Sequence, residues 1–134
     1  MSETTLPTPA PPVTPDNKPF WDATADGRLV LPRCRSCGTV IWYPRSICPG
    51  CHATDVEWLD ASGRGTVYSF TIIRRGGYAR GSDYVLAYVE LDEGPRMMTN
   101  IVDCDPAGLA CGQAVEVVFH DTGQGSALPR FRPV

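Results

Sequence analysis

The chain has 134 residues, room for one domain or two very small ones. Its 43% hydrophobic and 20% charged residues are ordinary for a globular protein, and 13 prolines with 13 glycines exclude a helical bundle in favour of short strands and turns. A net charge of -3 gives little general attraction to nucleic acid, and the absence of any long apolar run excludes a transmembrane helix.

Residues 1–15 read as a disordered or extended proline-rich tail, because Leu6 to Pro15 cannot donate a regular set of backbone hydrogen bonds. Its start carries no basic and apolar leader, so a cytoplasmic protein is expected. Residues 16–28 predict a helical arm. Asp16 or Asn17 can cap it, Pro19 sits in its first turn and Gly27 can end it. So short a helix is marginal in water and must dock on something. Phe20 and Trp21 are its candidate docking residues, either on the chain's own core or on a partner protein.

Residues 29–60 hold two cysteine pairs, Cys34-Arg35-Ser36-Cys37 and Cys48-Pro49-Gly50-Cys51. Residues 39–44 and 56–59 between and beyond them are rich in β-branched and aromatic types and predict strands. The segment is too small to fold without a staple. Residues 61–134 predict a β unit with strands at 66–73, 83–91, 97–102, 114–120 and 130–132, and a short helical turn between the third and fourth. That order fits a five-stranded OB barrel. An SH3-like barrel competes on pattern alone.

Two Cys-x-x-Cys turns can place four thiolates around one tetrahedral zinc ion, and Gly38 supplies the left-handed residue that the first turn needs. Cys34, Cys37, Cys48 and Cys51 are therefore the expected ligands of a closed, structural Zn2+ site, with iron a possible substitute in the same cage. Cys48-Pro49-Gly50-Cys51-His52 also matches a c-type haem attachment pattern, but haem attachment requires export and would leave the first pair unexplained. No βαβ pattern surrounds either pair, which argues against thioredoxin-type redox chemistry.

The second feature is Arg74-Arg75-Gly76-Gly77-Tyr78-Ala79-Arg80 between the first two barrel strands. Arg74, Arg75 and Arg80 offer guanidinium forks for phosphate groups, and Tyr78 a ring that can stack on adenine. A solvated loop and a single RNA-binding RGG element are the alternatives. Catalytic groups are scarce. His120 and Asp121 are adjacent on a strand and face opposite ways, and Cys104 and Cys111 have no histidine near them in sequence.

In order along residues 17–134, Phe20-Trp21, Leu29 to Gly38, Pro44-Arg45, Cys48-Pro49-Gly50-Cys51, Glu57-Trp58, Ser62-Gly63-Arg64-Gly65, Tyr68-Ser69-Phe70-Thr71, Val89 to Gly94, Thr99 to Val102, Gly112, Val115 to Phe119 and Leu128-Pro129-Arg130-Phe131 carry a resemblance. The chain resembles the zinc-ribbon/OB-fold acyl-CoA-binding accessory proteins first catalogued as a domain of unknown function. The resemblance implies an N-terminal helical arm, a rubredoxin-like zinc ribbon and a C-terminal OB barrel. It also implies a non-catalytic subunit of thiolase-like or steroid side-chain aldolase complexes that holds part of a CoA thioester. Where that family often has a proline-rich stretch after the first barrel strand, this chain has the Arg74–Arg80 loop. A single-stranded nucleic-acid-binding module, with Tyr84 and Tyr88 as stacking rings, is the rival expectation from a different class. A free-standing acyl-CoA carrier is a third.

Overall fold

A computed structural model describes residues 6–74 and 83–134. Helix α1, Lys18–Ala25, leads into strand β1, Val30–Cys34, which pairs antiparallel with β2, Val56–Asp60. Strands β3 (Arg64–Ile73), β4 (Tyr84–Leu91), β5 (Arg96–Ile101), β6 (Ala114–Asp121) and β7 (Ala127–Pro133) close into a barrel in the order β3-β4-β5-β7-β6. A 3-10 turn at Pro106–Gly108 lies between β5 and β6, capped by the Asp105 side chain on Ala107 N. Strand β3 pairs with both β4 and β6, and a parallel contact, Ile101 with Phe131, joins β5 to β7. This is the OB topology, and the SH3-like alternative falls away.

Alternation along the strands gives the barrel its inside. Val85, Ala87, Val89 and Leu91 of β4 are all buried, and they meet Val67, Met97, Ile101, Val115 and Phe131. The same apolar cluster takes in Phe20 and Trp21 of the arm and Leu29 and Leu31 of the ribbon. Arm, ribbon and barrel thus share one core. The ribbon's other cluster is only Cys34, Ile41 and Cys48, with Ala53 and Val56 beside them.

The arm is tied down by more than apolar area. The Thr24 hydroxyl donates to Trp21 O at 2.6 Å and accepts from Ala127 N at 3.1 Å, so one buried side chain links α1 to β7. Phe20 is fully buried and Trp21 is 7% exposed. Of the two dockings open to Phe20 and Trp21, the structure shows the one on the chain's own core, where Phe20 meets the edges of Trp21, Trp42 and Tyr43. A partner meeting the arm in this conformation finds its polar side, not these rings.

Two further expectations change. Residues 39–44 form no strand; a single bridge joins Val40 to Arg33, and Ile41 N donates to Pro32 O at 2.8 Å. Ile41 turns into the ribbon core while Trp42 and Tyr43 turn to Phe20, and Pro44 has no N–H to continue a ladder. The ladder partner of β2 is β1, whose Pro32 is tolerated because both strands of a two-stranded ribbon are edges. The tail, in turn, is anchored where it is described: Arg130 Nη2 donates to Pro7 O at 2.6 Å.

Gly65 sits where β3 crosses closest to β4. A Cβ there would overlap the Glu90 carbonyl and the Val89 side chain. Gly65→Ala is expected to destabilise the zinc-loaded chain by about 1–3 kcal/mol by forcing these strands apart. Urea unfolding checks this, and an unchanged midpoint would show that the closure has slack.

Candidate zinc centre and ligand cleft

Two loops of equivalent design bring the cysteines together. In the first, Gly38 N donates to Cys34 O at 2.8 Å and Cys34 N to Thr39 O at 2.8 Å. In the second, His52 N donates to Cys48 O at 2.9 Å and Cys48 N to Ala53 O at 2.9 Å. Each loop needs a left-handed residue just after its second cysteine: Gly38 has φ 78° and His52 has φ 64°. Glycine announces the first in the sequence. Histidine does not announce the second, and only the backbone reveals it.

The four Sγ atoms lie within 4.8 Å of one another. Cys34 to Cys51 and Cys37 to Cys48 are each 3.6 Å, close to the edge of about 3.8 Å that a tetrahedron with 2.3 Å zinc–sulfur bonds requires. The acid–base balance also asks for a cation. Hydrogen bonds from Thr39, side chain and backbone, hold the Cys37 thiol at about 6. Cys51 receives a bond from the Ala53 backbone, yet the neighbouring cysteine sulfurs push it up to about 12. Four thiolates so close cannot all ionise without a counter-charge, and a divalent ion supplies it. Cys104 is half-buried and Cys111 exposed, and neither belongs to this cluster.

Beside the ribbon lies an open cleft of about 180 Å³, bounded by α1, the segment after β1, and strands β5 and β7. Its walls include Trp21, Trp42, Tyr43, Met97 and Met98, with Arg130 at one side. Arg130 is 2% exposed; its Nη1 meets His120 Nδ1 at 2.9 Å while Nη2 holds Pro7 O. Burial, and after it the Arg130 charge, lowers the pKa of His120 below the ordinary histidine value, so this ring is a neutral structural partner. The sequence gives little sign of the cleft, since its walls come from four separated segments.

Of the residues expected on the β3–β4 loop, Arg75, Tyr78 and Arg80 lie outside the described residues. Arg74 is exposed and bonds to Asp83 at 2.9 Å. The outer face of β3, β4 and β5 carries Tyr68, Tyr88 and Met98, 50%, 46% and 54% exposed. Alternation after the buried Val67 turns Tyr68 outward, where the Arg96 guanidinium lies over its ring at 3.8 Å from the centroid and also bonds to Glu90 at 2.9 Å. No helix among the described residues is long and apolar enough to cross a membrane.

Comparison with known proteins follows this anatomy. Residues 21–57 match the family described as "ChsH2, rubredoxin-like zinc ribbon domain" and residues 58–120 the one described as "ChsH2, C-terminal OB-fold domain". A "DUF35 domain-containing scaffold protein" of Methanocaldococcus jannaschii is 39% identical over 115 residues, covering 79% of this chain and 82% of that protein. The chain belongs to the DUF35 family. The "Benzoylsuccinyl-CoA thiolase subunit BbsA" of Thauera aromatica is 30% identical over 80% of this chain and 76% of its own. The chain is also 35% identical, over 93% of its length, to a "Probable enoyl-CoA hydratase alpha subunit" of Thermomonospora curvata, but spans only 40% of that protein. Among solved structures, the "Ltp2-ChsH2(DUF35) aldolase" contains a chain 34% identical to this one, with a TM-score of 0.83 over 92% of this chain and 98% of that one.

With so small a core, the ribbon is expected to depend on a bound metal for its folding. One zinc per chain is expected on elemental analysis of protein purified without added metal. Cys48→Ser, or a strong chelator, should release it and unravel residues 29–60, seen as loss of their amide-exchange protection. A Cys48→Ser chain that keeps that protection would refute the structural role.

Proposed function

We propose that this DUF35 chain is a non-catalytic accessory subunit that binds an acyl-CoA and docks on a thiolase-superfamily partner of thiolase or aldolase type, supporting carbon–carbon bond chemistry on CoA thioesters. The observation that carries the reading is the 34% identity, over nearly the whole length of both chains, to the DUF35 component of an aldolase. The relatives' names as scaffold and thiolase-subunit proteins support it from a second side.

The chemistry of the described residues supports a non-catalytic role. His120 is buried against Arg130, and His52 is on the zinc loop. Burial, then the charges of Asp105 and Asp103, raises the Cys104 thiol, the reverse of what a nucleophile needs. Among the described residues neither histidine is hydrogen-bonded to a hydroxyl or thiol.

Within this reading the apolar cleft takes the acyl end of the ligand, and the loop cations Arg75 and Arg80, with Tyr78, take its phosphates and adenine. The cleft's Trp and Met walls and single, already engaged guanidinium suit an uncharged acyl group. The rival nucleic-acid reading needs cations free for phosphate beside Tyr84 and Tyr88. The described cations on that face, Arg74 and Arg96, are instead paired with Asp83 and Glu90.

Purification of the tagged chain from its host tests the main claim. A thiolase-superfamily protein should accompany it in fixed proportion, and turnover of CoA thioesters should require both proteins. Turnover by the isolated chain, or no such partner, would defeat the proposal. For the loop, Arg75→Ala and Arg80→Ala are each expected to weaken hexanoyl-CoA binding by about tenfold to a hundredfold, the worth of one charge-assisted hydrogen bond, with zinc content unchanged. Calorimetry on the zinc-loaded chain reads this, and wild-type affinity in both variants would remove the loop from the site.

A further inference from the structure

Three side chains meet at one oxygen, the hydroxyl of Tyr43, a residue that lines the cleft together with Trp21. Asn17 Nδ2 lies 3.0 Å from Tyr43 Oη, and Trp21 Nε1 lies 3.1 Å from it. The direction of both bonds is fixed. An indole N–H can only donate. The Asn17 amide cannot be turned over, because Thr14 N donates to its Oδ1 at 2.7 Å while its Nδ2 also reaches Pro12 O at 3.3 Å. The phenol oxygen therefore accepts twice.

A phenol has one proton to give and room to accept about two. With both accepting positions filled, the Tyr43 proton must leave on the remaining side, and no described residue accepts it. Asn17 is 4% exposed and Trp21 7%, so neither donor can swing away, while Tyr43 is 40% exposed and forms part of the cleft wall. Two donated bonds also polarise the hydroxyl and strengthen the bond it gives. The result is a fixed donor, unable to switch to accepting, on a cleft whose other walls are mostly apolar.

Such a donor selects a ligand with an acceptor oxygen and rejects one that offers only an N–H. Arg130, the one charged wall residue, is already bound to His120 and Pro7, so a carboxylate gains little from it. An uncharged carbonyl is the matching group. We propose that the Tyr43 hydroxyl is the donor that reads the thioester carbonyl of the bound acyl-CoA. This rests on the reading of the cleft as the acyl site, and it makes Tyr43 a binding and positioning residue.

The test compares hexanoyl-CoA with S-hexyl-CoA, a thioether of equal reach that lacks the carbonyl, by calorimetry on the zinc-loaded chain. The wild type is expected to bind the thioester about 2- to 12-fold more tightly, the range of one neutral hydrogen bond. Tyr43→Phe should bring that ratio to about one. Equal affinities in the wild type, or a preference that survives in Tyr43→Phe, would overturn the assignment. Tyr43→Phe leaves two buried donors without an acceptor and could unfold the arm. The wild type therefore supplies a second measurement, the infrared stretch of hexanoyl-CoA carrying a 13C carbonyl. A bound band below that of equally labelled S-ethyl thiohexanoate in hexane is expected, and a band at that hexane position overturns the assignment. If the wild type binds neither compound, the acyl-CoA reading itself fails and Tyr43 falls with it. Binding of both without discrimination sinks only Tyr43.

Discussion

A ribbon of some thirty residues cannot close a core of its own, and the rest of this molecule is arranged around that constraint. Cys34, Ile41 and Cys48 are nearly all that the ribbon buries by itself. It is therefore held from two sides. On one side four sulfurs wait for a divalent ion. On the other, Leu29 and Leu31 enter the barrel's apolar cluster, and Phe20 fills the space where arm, ribbon and barrel meet. Phe20, with no exposed surface, sets the angle of the aromatic rings around it. Losing the metal or losing Phe20 undoes the same joint from opposite ends.

That joint also creates the cleft. Because residues 39–44 leave the ladder after one bridge, Trp42 and Tyr43 turn toward the arm and stand beside β5 and β7. Had they continued as a strand, their rings would have alternated between two faces of the ribbon and bounded no pocket. The hydrogen bonds around Asn17 join tail, arm and ribbon, and with the Trp21 indole they fill the accepting positions of the Tyr43 hydroxyl. Stability and recognition rest on the same few atoms.

The surface is quiet by comparison. Its ion pairs, such as Arg28 with Asp60 and Arg132 with Glu116, are exposed and each worth little. Their effect is chiefly on the field, since pairing leaves few cations for a polyanion. The exposed Tyr68, Tyr88 and Met98 face is uncharged apart from the paired Arg96 and Glu90. An apolar face of this kind is more typical of a surface covered by another protein than of one facing water alone.

The sequence by itself determined whatever local chemistry dictates. The cysteine spacing named the four expected ligands, and the glycine and proline content pointed to short strands, among them 83–91 and 114–120 in the barrel. Gly38 was legible because a left-handed turn residue favours glycine; His52, doing the same work, was not. Tertiary structure decided the long-range matters. Pattern alone cannot tell that β1, with its central proline, pairs with β2 while the more strand-like 39–44 does not, because that choice depends on where Ile41 and Trp42 find burial. Nor can it tell whether Phe20 and Trp21 face inward, since an amphipathic arm looks the same whether it docks on itself or on another protein. The cleft depends on Trp21, Tyr43, Met97 and Arg130 coming together from separated stretches of chain, and the bonds to the Tyr43 hydroxyl on Asn17 and Trp21 reaching it across more than twenty residues; only packing sets those distances.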